Sequence, residues 1–172
     1  MWGVDLLDRL LGHDAATTRE LLVRSRGFGD EQLDRRFAIG PGSLRATFVH
    51  IIWNMEAWTD LMCGRPVRPK PAGAAASVEG LIGRLDAVAV EFADLARRVR
   101  DEGRWDALFA DTEEAVPRMK TLGGGIAHVI THSMHHRAQV LNMMRQLGVG
   151  ELIEGDVLSW ESGVRGGWKA EE

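Results

Sequence analysis

Four long stretches of this chain repeat their apolar residues at every third or fourth position, with glycine and proline punctuating the segments between them. That period gathers the apolar side chains onto one face of an α-helix, and no stretch shows a convincing strand alternation. The first stretch, Val4–Arg26, carries Leu6, Leu7, Leu10, Leu11, Ala15, Leu21 and Leu22, and stops at Gly27 and Gly29. The second, Leu44–Cys63, follows Ser43, whose hydroxyl suits a helix N-cap, and stops at Gly64 and Pro66. The third starts behind Ser77 and runs to about Asp101, with Leu81, Leu85, Val88, Phe92 and Leu95 along one face. The fourth is Ile126–Leu147, entered from Gly123-Gly124-Gly125 and closed by Gly148 and Gly150.

Shorter pieces fill the gaps. Asp30 can cap a short helix over Glu31–Arg36, ahead of a turn at Gly40-Pro41-Gly42. Arg65–Ala76 is rich in Pro, Gly and Ala and reads as a loop. Glu102–Lys120 has no clear period, with Trp105, Leu108 and Phe109 as anchors, and Val157–Trp160 is a last apolar patch before a polar tail. Four amphipathic helices must bury their faces against one another, so an all-α four-helix bundle is expected, as one domain over residues 1–172. Two of the connections exceed the usual few residues, which predicts at least one long crossing connection.

Composition narrows the function classes. The net charge is −4 and no basic stripe carries interleaved aromatics, so nucleic-acid binding is not expected. The longest apolar runs, such as Phe48–Trp53, are far too short to span a bilayer, and Met1–Asp5 lacks the positive region of a signal peptide. One cysteine, Cys63, excludes an internal disulfide framework and fits a reducing cytoplasm; the expectation for it is a buried, inert thiol. The 18 Arg against three Lys (Lys70, Lys120, Lys169) read as the codon bias of a GC-rich genome. Gly123–Gly125 precedes a helix but no Lys-Ser/Thr follows, so a phosphate cradle has little support.

Chemistry concentrates in the histidines. His128, His132, His135 and His136 fall within nine residues of the fourth helix. Residues four apart share a helix face, so His132 and His136 can reach one ion, while His135 is turned roughly 100° from His136. His128 extends the same face, and the pair 128/132 is the alternative to 132/136. Two imidazoles leave an ion under-coordinated, and bundle metal sites draw ligands from facing helices. His50 is the best third donor, because a polar ring among Phe48, Val49, Ile51 and Ile52 needs a reason. Three neutral imidazoles with an open position are the ligand pattern of catalytic zinc.

The string His132-Ser133-Met134-His135-His136-Arg137-Ala138-Gln139 resembles the signature on the last long helix of the DinB-like family, roughly His-x-x-x-His-Arg-x-Gln. His50 within Thr47–Trp53 is similar to that family's second-helix ligand. Leu11-Gly12-His13-Asp14 resembles its first-helix motif, although Ala15-Ala16 stands where an aromatic is often found. The resemblance spans the chain from the first helix to Gly148. It implies a DinB-like four-helix bundle, commonly a homodimer, with a divalent metal (Zn, Ni or Fe) on His50, His132 and His136. It also implies a thiol S-transferase or isomerase working with a low-molecular-weight thiol on a small-molecule substrate. Such an ion could instead supply metal-bound hydroxide to a hydrolase, or the protein could be a non-catalytic metal-binding, stress-response protein.

Further residues are singled out around the expected site. His13, His128 and Gln139 are pocket candidates, His13 reading equally well as a helix-surface residue. Asp14 and Glu56 could accept a hydrogen bond from a ligand's other ring nitrogen, although solvated helix faces are the plainer reading. Arg137 reads as a salt-bridge partner. Trp53 and Trp58 read as core or dimer interface, since six Trp with no Tyr leave large apolar rings needing cover.

Overall fold

The computed structural model describes residues 5–113 and 115–164. Helix α1 spans Leu6–Arg24 and is capped by the Asp5 carboxylate, which accepts from the Asp8 N–H at 2.8 Å. The expected start at Val4 lies outside the described residues. A single 3₁₀ turn, Ser25–Gly27, ends it. Helix α2, Asp30–Asp34, begins one residue earlier than expected, so Gly29 and not Asp30 stands at its cap. Helices α3 (Leu44–Met62) and α4 (Val78–Asp101) start behind Ser43 and Ser77, whose hydroxyls accept from Ala46 at 3.2 Å and Gly80 at 3.1 Å.

Two differences from the sequence expectation lie between α4 and the last long helix. Leu108–Asp111 (β1) and Arg118–Thr121 (β2) form an antiparallel hairpin, with Leu108 opposite Thr121 and Asp111 opposite Arg118. Four residues are too few for a periodic signal, yet β1 alternates, burying Phe109 and Asp111. Helix α5 then runs Leu122–Gln146 under a Thr121 cap, so the three glycines belong to its first turns and not to a preceding loop. Gly125 is there because of close approach: a Cβ would come within 2.8 Å of the Met62 Sδ and 3.2 Å of the Phe109 ring. Helix α6, Val157–Val164, lies against α1.

Helix α1 packs on α4 and α5, and α3 packs on the same two, which sets α1 diagonally across from α3. Cross-helix pairs fix the directions. Arg19–Asp86, Arg26–Glu79 and Arg100–Asp5 run α1 against α4. Glu56–Arg84, with Arg45 donating to the Ala76 carbonyl, makes α3 parallel to α4. Parallel neighbours need a return, and the segment between Cys63 and Ser77 supplies it by running back along α3 as a strap. Arg68 pairs with Asp60 at 2.8 Å and its carbonyl accepts from the Trp53 indole at 3.1 Å. This is the long crossing connection. Leu21, Leu22, Phe48, Ile51, Ile52, Leu85, Val88, Val129, Val140, Met143 and Met144 fill the interior with at most 1% exposure. Each such side chain contributes about 1.5–3 kcal/mol by leaving water.

Candidate metal centre

The core-facing residues of α5 leave two polar flanks. One, with Ser133 and Arg137, turns to α1; the other, with His132 and His136, turns to α3. There His50, a half-buried residue midway along α3, meets them. The His50 and His132 Nε2 atoms lie 3.0 Å apart, and those of His132 and His136 3.2 Å apart. Ligand-capable atoms of the three rings all lie within 4.8 Å of one another.

The tautomer of one ring is fixed. His136 Nδ1 is 2.8 Å from Gln139 Oε1, an amide oxygen that can only accept, so the ring donates from Nδ1 and keeps a lone pair on Nε2. The Gln139 amide nitrogen lies 2.9 Å from His135 Nε2. Gly40 shelters this contact: its φ is +50°, and a Cβ there would stand 1.9 Å from Gln139 Oε1. The glycine of that turn is therefore needed both for its conformation and for the space it leaves.

Electrostatics keep the rings neutral. Burial, with the neighbouring His136 and Lys70 adding to it, pushes His50 down to about 4. Burial and the surrounding imidazoles push His132 down to about 3. His136 is also lowered, chiefly by burial and against the pull of its Gln139 bond. At neutral pH, neutral rings crowd together with no acid among them, and the buried His132 Nδ1 has no partner. A tetrahedral shell with nitrogens 2.0–2.1 Å from an ion would separate them by roughly 3.3 Å. The observed spacing and the neutral donors fit a divalent ion that favours imidazole.

The other singled-out residues are placed differently. His128 lies a turn away, exposed, with its ring 5.2 Å from His132 and 5.0 Å from Trp58, and is not part of the convergent set. His135 is exposed. His13 is neither at the imidazole cluster nor on the surface: it is buried against Trp160 with its Nε2 2.9 Å from the Gly155 carbonyl. Asp14 and Glu56 are not on solvated faces and do not touch the three rings. Asp14 is 1% exposed and paired with Arg137; Glu56 is 2% exposed and 2.5 Å from Arg84. Each acid is buried because its cation arrives from another helix. Cys63 is exposed, contrary to expectation, because α3 ends at Met62 and the chain turns outward there. Trp53 and Trp58 are half-buried.

Two cavities have a histidine of α3 or α5 in their walls. One, of about 380 Å³, has His50, Ser43, Lys70 and Pro71 in its wall. The other, of about 450 Å³, is lined by Trp58, Lys120, Gly124 and His128. The lysines at these cavities escaped the sequence reading, although two of only three lysines in an arginine-rich chain were a signal. A further cavity of about 460 Å³ between α1 and α6 includes no histidine in its lining.

The family model described as the DinB superfamily matches residues 13–140. A protein assigned to the DinB family from Exiguobacterium sibiricum 255-15 superposes with a TM-score of 0.59 at 23% identity, over 87% of this chain and 95% of that one. A DinB-like protein from Bacillus cereus ATCC 10987 gives 0.59 at 19% identity, over 82% and 92%. At these identities the likeness concerns the fold. A search of curated proteins returned no match.

Proposed function

The chain belongs to the DinB superfamily, and from that membership and its three convergent imidazoles we propose a metal-dependent enzyme, a thiol S-transferase holding one divalent ion on His50, His132 and His136. The observation that carries this reading is the crowding of their Nε2 atoms at 3.0 and 3.2 Å with no counter-charge. When bound, a zinc, nickel or iron ion would acidify a low-molecular-weight thiol to a thiolate at neutral pH. The chain's own part is to hold the rings neutral, to fix His136 through Gln139, and to wall the site with the strap.

Hydrolysis is the weaker alternative. It calls for a general base, and the two buried acids singled out in the sequence, Asp14 and Glu56, are engaged by Arg137 and Arg84. A non-catalytic metal-binding role is the third reading, separated from the others by turnover. The test is elemental analysis of the purified protein, followed by turnover of an electrophile with different thiols. His50→Ala, His132→Ala and His136→Ala should each lose most of the metal, and His135→Ala should keep it. Full metal in His136→Ala together with loss in His128→Ala would sink the assignment.

A homodimer is proposed for the assembly. The hairpin region exposes Leu108, Val116 and Met119, an apolar surface that a second copy could cover. Sedimentation at micromolar concentration should give twice the 19.0 kDa of one chain; a monomer refutes it. Among the described residues no helix is long and apolar enough to cross a membrane.

A further inference from the structure

We propose that the cavity beside His50 is a carboxylate subsite, in which Lys70 binds a carboxylate of the small molecule that reacts at the three-imidazole centre. The inference rests on the metal reading above for the reaction, and on this cavity alone for the binding.

The cavity is bounded by the first half of α3, the turn at Pro41 and the strap residues Lys70 and Pro71. His50 is part of its wall, so a molecule that fills the cavity abuts the imidazole cluster. Its volume of about 380 Å³ is near the lower end of ligand pockets, roughly 300–1,000 Å³, and suits a small acid. Two cations line it. Arg45 is committed, with Asp34 at 2.8 Å, Asp30 also on its guanidinium, and the Ala76 carbonyl at 3.2 Å. Asp34, the cavity's own acid, is occupied by that pair.

Lys70 is different. Among the described residues no carboxylate pairs with its ammonium, which stands over the Trp53 ring, 5.6 Å from the centroid. It lines the same cavity as His50. Lys120, on the other side of the cluster, provides the contrast. It lies over Trp58 in the same manner, at 4.8 Å, but Asp111 is 2.6 Å away and balances its charge. Of Lys70 and Lys120, only Lys70 lines a cavity with no carboxylate paired to it among the described residues. A single ammonium balances a single negative charge, and the cavity offers no free guanidinium fork, so a carboxylate fits better than a phosphate dianion.

The test compares two thiols of equal length, 3-mercaptopropionate and 3-mercapto-1-propanol, on the full chain. Binding is read by the thiolate-to-metal absorbance band after loading with cobalt(II). It is also read by the Trp53 indole resonance, assigned with Trp53→Phe, in the metal-free protein. The acid should bind about tenfold more tightly than the alcohol, as a charge-assisted hydrogen bond implies. Lys70→Met should bring that ratio to one without weakening the alcohol, and Lys70→Arg should keep it. In the metal-free protein the acid alone should shift the Trp53 resonance, and not in Lys70→Met. Equal affinities, or a ratio preserved in Lys70→Met, overturn the subsite even where the band shows an intact centre. No band with the Trp53 shift intact overturns the metal reading and leaves the subsite standing. Loss of both signals overturns both.

Discussion

Helix α5 sends Arg137 and Ser133 toward α1 and His132 and His136 toward α3, and the two flanks deal with buried polarity in different ways. On the α1 side a full charge is taken out of water, and the chain itself supplies the opposite one: Arg137 and Asp14 are each about 3% exposed or less and are paired, with Thr18 Oγ1 a further acceptor at 3.2 Å. Burial holds the Asp14 carboxyl above its ordinary range while the guanidinium pulls against it. On the α3 side no acid stands among the rings. Three neutral rings instead bring their Nε2 atoms to a common region, at 3.0 and 3.2 Å. The first cluster pairs its charges internally and ties two helices together, while Asp14 Oδ2, Ser133 Oγ and Arg137 Nε find no hydrogen-bond partner among the described residues. The second brings uncharged rings together, and the proposed ion would bind there.

The strongest way to break this contrast is to remove one member of the closed cluster. Asp14→Ala leaves Arg137 buried without its anion and should cost about 3–5 kcal/mol of stability by urea denaturation. His132→Ala in the metal-free protein should cost far less, because it removes crowding and no balanced charge. Equal losses in the two variants would erase the distinction. A smaller effect sharpens it from the other side. Gln139→Ala frees the His136 tautomer, and loss of such an outer partner typically lowers metal affinity about 10–100-fold. Calorimetric titration with zinc should show that loss while the melting temperature of the metal-free protein barely moves.

A further expected effect is a pH dependence. His50 and His132 are held at about 4 and about 3, against 6.5 for the free side chain. Below pH 6.5 the unfolded chain therefore binds protons that the folded chain refuses, so stability rises with pH across this window and falls as pH drops from 6.5 toward 4. Denaturation of the metal-free protein at pH 7.5 and pH 5 should show the decline, and His50→Ala should flatten part of it. A flat profile in the unmodified protein would mean that the rings are not buried in neutral form.

What the sequence disclosed follows from how local the governing interaction is. His132 and His136 were legible because a four-residue spacing on a helix is a purely local geometry. His50 stood out as a polar ring in an apolar run. Gln139, three residues beyond His136, was marked by the motif and by the same local rule. Asp14 and Glu56 were misjudged because the arginines that justify their burial stand 123 and 28 residues away in the chain. The start of α5 was missed because glycines usually break helices, and only Met62 and Phe109, packed against Gly125, explain why they do not do so here. The hairpin was illegible for the plain reason that each strand has four residues.

The diagonal placement of α3 across the bundle from α1, and the descent of the strap alongside it, also set an order of events. His50 and His132 are separated by 82 residues, which include the strap, all of α4 and the hairpin. Closing so long a loop is entropically costly, and helices form from local contacts first. The imidazole cluster can close only when α3 and α5 pack, and we expect that step, with any ion held there, to follow the folding transition state. Interactions absent from that state act on the way out, so a bound ion should slow escape from the native structure while leaving the rate of reaching it nearly unchanged.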